Sequence, residues 1–69
     1  MNVQTDPERE LEAAEEVVRE EGARLRQRAQ LLRRRGFLDI ADELEAHALG
    51  LQETADFIAS QIENRTPSS

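Results

Sequence analysis

The chain has 69 residues, which is room for one small domain at most. It contains no Cys, so disulfides, thiolate metal sites and a Cys nucleophile are excluded together. Charged residues make up 35% of it with a net charge of −6, and no run approaches the roughly 20 apolar residues of a membrane span. A lone core below about 70–80 residues rarely supplies more than about 3–5 kcal/mol. With disulfides and thiolate metal sites removed, oligomerisation is the support left. The acidic N-terminal stretch has no apolar segment of the signal-peptide kind, so a soluble cytoplasmic protein is the expectation.

Residues 1–5 are polar and read as a frayed start. Helix 1 is expected over 6–35. Asp6 can cap it with Pro7 at the first helical position, or Thr5 can cap it with Glu8 three residues on. Within that span Gly22 is the only helix-weakening residue past the first turn. Arg33, Arg34 and Arg35 suit the negative end of the helix dipole, and Gly36 can take the left-handed conformation just past it. The turn is 36–38. Helix 2 is expected over 39–64, capped by Asp39 with Asp42 and Glu43 in its first turn, and 65–69 form a disordered tail. So short a turn makes the two helices antiparallel neighbours.

Two heptad ladders run through these helices. In helix 1 the large positions are Leu11, Val18, Leu25 and Leu32, with Gly22 and Ala29 as small companions. In the second half of the chain they are Phe37, Leu44, Leu51 and Ile58, accompanied by Ala41, Ala48, Ala55 and Ile62. A seven-residue repeat of large and small side chains is the pattern of closely packed helices. Ala14, Val17 and Leu31 widen the first stripe; Ile40 and Phe57 widen the second, and His47 falls on its inner edge. A stripe this broad suits a bundle rather than a two-helix seam. The fold class is therefore all-α: a helical hairpin expected to dimerise into an antiparallel four-helix bundle, since most soluble oligomers are symmetric homo-oligomers. A partner of different sequence completing the bundle is the alternative.

Charge falls in blocks. Residues 6–21 hold eight acids and two Arg, residues 22–35 hold six Arg and no acid, and residues 36–64 hold seven acids and no Arg. The basic end of helix 1 should lie beside Asp39, Asp42, Glu43 and Glu45. The same blocks allow helix 1 to pair with its own copy, antiparallel and crossing near Glu21 and Gly22. Leu11 would then meet Leu32, Val18 would meet Leu25, and Glu8 and Glu15 would face Arg35 and Arg28, while Arg19 would oppose Arg24. Gly22 at the two-fold would permit close backbone approach.

The run Ile40, Leu44, His47, Ala48, Leu51, together with the size, acidity and alternating core layers, resembles the Rop family of plasmid copy-number regulators. The resemblance implies an antiparallel dimer forming a four-helix bundle that binds RNA hairpin pairs on one helix face. Helix 1 departs from it, because the Lys, Asn, Gln and Phe of that RNA-binding face have no match here.

Reactive chemistry is sparse. His47 has Glu43 four residues before it, but bundle metal sites use Glu and His three apart with Glu on other helices. A hydrogen-bonded, partly buried His is the expectation. Arg24, Arg26, Arg28, Arg33, Arg34 and Arg35 form the one basic cluster, a candidate for phosphate contact. At about 100° per residue they spread over several sides, and no aromatic is interleaved for base stacking. Leu49 and Phe57, two turns apart, are a candidate protein-docking patch, with Leu38 on the same outer side. Ser60 and Thr54 have no His at a usable spacing, and there is no glycine-rich phosphate loop. The expectation is a non-enzymatic, cofactor-free protein-binding or regulatory module whose partners are itself and another protein, without a membrane. A Rop-like RNA or DNA binder using the Arg cluster and a structural subunit of a larger coiled-coil assembly are the alternatives.

Overall fold

The computed structural model describes residues 7–65. Two α-helices of 28 residues each, α1 (Pro7–Arg34) and α2 (Leu38–Arg65), pack antiparallel as a hairpin. Their ends fall within one residue of those expected from the sequence. Arg65 closes α2 rather than opening a tail. The expected caps Thr5 and Asp6, the frayed residues 1–5 and the tail beyond Arg65 lie outside the described residues. No helix among the described residues is long and apolar enough to cross a membrane.

The end of α1 is set by Gly36. Phe37 N–H donates to the Leu32 carbonyl at 2.9 Å, and Gly36 N–H donates to the Arg33 carbonyl at 3.1 Å. These are the two bonds of a Schellman motif, with Gly36 at φ +94° in the left-handed region. The motif also decides where α2 begins. The first helical bond of α2 runs from Ala41 N–H to the Phe37 carbonyl at 3.0 Å, so Phe37 is the cap residue. Asp39, expected as the N-cap, instead lies inside the first turn, where its carboxylate suits the dipole. Main-chain geometry at the glycine outranked the side-chain preference. A Cβ on Gly36 would meet nothing within 4 Å, so its replacement tests backbone strain alone. Gly36→Ala should cost about 1–2 kcal/mol, read as a fall of roughly 5–15 °C in the circular-dichroism melting midpoint.

The seam between the helices is lined by small residues. Among the described residues, Gly22 and Ala29 of α1 and Ala41, Ala48 and Ala55 of α2 are the buried positions, and no large side chain is fully enclosed. A Cβ on Gly22 would stand 3.4 Å from the Ala48 carbonyl oxygen and 3.6 Å from Leu51 Cβ. The close approach that Gly22 permits is therefore to α2 of the same chain. This corrects the expectation that Gly22 sits at a two-fold between two copies of helix 1, since α2 already covers that row. The large rows, Leu11, Val18, Leu25 and Leu32 with Leu44, Leu51 and Ile58, are half-buried beside the seam, as is Ile62 at its far end.

The hairpin measures 53 × 29 × 13 Å. Its thickness is about one helix diameter. Nothing in a slab one helix thick can cover the side chains on its broad faces.

Candidate interaction surface

The two broad faces have opposite character, and heptad arithmetic explains why. On one side of the small-residue seam, three residues of α1 at seven-residue spacing are arginines: Arg19, Arg26 and Arg33. Each reaches α2. Arg19 pairs with Asp56 at 3.2 Å and also holds Glu15 at 2.8 Å. Arg26 donates to Gln52 Oε1 at 2.9 Å. Arg33 bridges Asp42 at 2.9 Å and Glu45 at 2.7 Å. Hydrogen bonds that Arg19 donates to Glu15 first, and then to Asp56, raise its pKa above the ordinary value; those Arg33 donates to Asp42 and the nearby charge of Glu45 do the same for Arg33. Both guanidinium groups are solvent-facing, so these pairs select the register of the hairpin more than they stabilise it.

On the other side of the seam run the large rows. A groove spanning both helices is lined by Leu25, Leu31 and Leu32 with Leu44, flanked by Arg28 and Arg35. It continues along α1 as an open depression of about 460 Å³ that includes Glu21 and Arg24. Five of the seven exposed large apolar residues lie on this side by register. Val17 is 62% exposed and Leu31 43%, Phe37 and Ile40 are 52% each, and Phe57, at the outer edge, is 63%.

Phe37 and Ile40 were expected to line the core; within one chain they do not, because the slab has no layer above them. His47 is likewise exposed, on the row of Ile40 and Thr54, rather than partly buried. The acids of α2 other than Glu43 avoid this face. Asp42, Glu45 and Asp56 are engaged on the arginine side, and the rows nearest the apolar groove carry Ile40, His47, Thr54 and Gln61 with Glu43 as their one acid.

The six-arginine cluster is broken up by the fold. Arg26 and Arg33 belong to the cross-helix row, and Arg24 lies 3.9 Å from Glu21 on its own helix. Arg28 and Arg35 flank the apolar groove, while Arg34 stands with Gln30 and Arg33 on another side. Arg28, Arg34 and Arg35 make no ion pair among the described residues. Leu49 and Phe57 are not brought together. Leu49 lines a depression with Arg26, Gln30, Glu45 and Gln52 on the arginine face, whereas Phe57 edges the apolar one. The Thr54 and Ser60 hydroxyls donate to the carbonyls of Gly50 and Phe57 in their own helix. Among the described residues, no three His, Asp or Glu side chains converge as metal ligands. Arg19 was missed as part of the cross-helix row. Its signal was the seven-residue spacing to Arg26 and Arg33, hidden by reading the arginines as a block.

No protein-family model, curated protein or solved structure matches this chain.

Proposed function

We propose that the chain is a non-enzymatic interaction module that works by self-association, two hairpins closing apolar face on apolar face into an antiparallel four-helix bundle. One observation carries this reading: a slab 13 Å thick with half-buried and exposed large apolar side chains concentrated on one face and cross-helix ion pairs on the other. Contiguous exposed apolar surface marks an interaction site. The occupant that suits it is a second copy. In an acidic chain, the near rows of α2 carry a single acid, so the α2 part of the face can be covered by a second copy with few carboxylates brought together. The bundle then presents its arginine rows outward, on the faces available to a further protein partner.

The test is sedimentation equilibrium together with native mass spectrometry of protein purified from its own cells. The expected mass is that of two chains, with no retained nucleic acid. A single-chain mass at micromolar concentration overturns the proposal. Co-purifying RNA released by salt would favour the nucleic-acid reading instead, and growth beyond two chains would favour a larger coiled-coil assembly.

A further inference from the structure

We infer that the two copies pack with α1 against α2 of the partner subunit, so that both turns lie at the same end of the bundle. The inference rests on the self-association proposed above and adds its orientation.

Closing the apolar faces by two-fold symmetry leaves two arrangements. With the two-fold running along the bundle, α1 lies on α2 of the partner subunit and the turns share one end. With the two-fold across the bundle, each helix lies on its own copy and the turns are at opposite ends. The first arrangement has no register to adjust, because rotation about an axis parallel to the helices moves no residue along them. Whatever is level across the seam of one chain is level across the new interface as well.

The fold fixes those levels. Arg19 stands beside Asp56 and Arg33 beside Asp42, so each step up α1 is a step down α2. Val17, two residues before Arg19, is then level with Phe57 and Ile58. Val17 and Phe57 are exposed in the single chain, at the outer edges of the apolar face, and closure lays each against the other's copy. Glu43, one residue past Asp42, is level with Leu32, between Arg28 and Arg35. Glu43, Arg28 and Arg35 make no ion pair among the described residues. Closure sets that acid between the two cations. Gly22 against Ala48 and Leu51, and Arg26 against Gln52, shift the level by about a turn in either direction, and Glu43 stays alongside the Arg28–Arg35 stretch throughout. Arg24 is level with Leu51, beside Gly50, where a Cβ would meet nothing within 4 Å. That open space takes a long side chain.

The other arrangement loses both matches. Stacked on its own copy, α2 offers no Arg from 36 to 64, so Glu43 meets no cation there in any register. Val17 and Phe57 then part to opposite edges of the bundle.

The absence of Cys allows a direct test. Glu21, two residues after Arg19, is level with Thr54, two residues before Asp56, and both edge the apolar face. Chains carrying Glu21→Cys and chains carrying Thr54→Cys are mixed and oxidised. The expected product is the mixed disulfide, several-fold over either same-variant disulfide. Identical positions sit diagonally across the bundle, beyond the roughly 7 Å between Cα atoms that a disulfide spans. A two-chain mass without an excess of mixed disulfide overturns the orientation and leaves self-association standing; a single-chain mass overturns both. A second readout changes neither Glu21 nor Thr54. Spin labels at Asp39→Cys should lie within about 20–25 Å of each other, roughly two helix diameters. A separation beyond about 30 Å, from 1.5 Å of rise per residue, puts the turns at opposite ends and overturns the inference.

Discussion

Replacing Ala48 with Leu is expected to lower the thermal midpoint by about 10–20 °C, the equivalent of about 2–3 kcal/mol for a chain of this size. Ala48 is 2% exposed, and its carbonyl oxygen lies 3.4 Å from where a Cβ on Gly22 would stand. Three further carbon atoms find no room at that point. The helices must separate, and separation loosens Ala29, Ala41 and Ala55 along the same seam. The control is Gly22→Ala. Its new methyl would meet neighbours at 3.4 and 3.6 Å, ordinary contact distances, while an interior helical glycine costs about 1 kcal/mol against Ala. That substitution should leave the midpoint unchanged or raise it. Circular-dichroism melts at one protein concentration measure both. An unaltered midpoint for Ala48→Leu would mean that the seam does not hold the helices at this spacing.

The double substitution Leu31→Glu with Ile40→Glu should weaken self-association at least about 100-fold, or about 2.7 kcal/mol. In a single chain these residues are 43% and 52% exposed, and surface substitutions usually change stability by no more than about 0.5 kcal/mol. A large effect therefore reports a surface closed by another chain, where four carboxylates per dimer would lose water. Leu49→Glu is the comparison. It adds the same charge at a 57% exposed leucine on the arginine face and should leave the two-chain mass intact. Sedimentation equilibrium separates these outcomes. A double variant that still has the mass of two chains would remove this face from the interface.

Much of the hairpin was legible because its signals are local or periodic. Gly36 behind three arginines marked the end of α1, and the spacing of Ala41, Ala48 and Ala55 marked a close seam. What escaped depended on which helix each row faces. Gly22 can admit any close backbone, and only the folded chain shows that α2 takes that place. The arginines at 19, 26 and 33 form a row only once the seam defines its two sides. Asp39 was a sound cap by residue type, but the two hydrogen bonds of the glycine turn had already assigned that role to Phe37. Phe37, Ile40 and His47 were legible as members of an apolar stripe; their exposure follows from the thickness of one hairpin, which no heptad encodes.

The seam closed by Gly and Ala also bears on how the protein behaves in a cell. Among the described residues of one chain no large side chain is fully enclosed, so on the proposed bundle the deepest burial of apolar mass is deferred to assembly. On the proposed bundle, folding and self-recognition become one equilibrium, and the folded fraction depends on copy number. Each tenfold fall in abundance weakens the assembled state by about 1.4 kcal/mol. Scarce chains spend more time open to proteases, and plentiful chains protect one another. The hairpin would thereby act as a threshold on its own concentration, with its lifetime rather than a ligand carrying the signal.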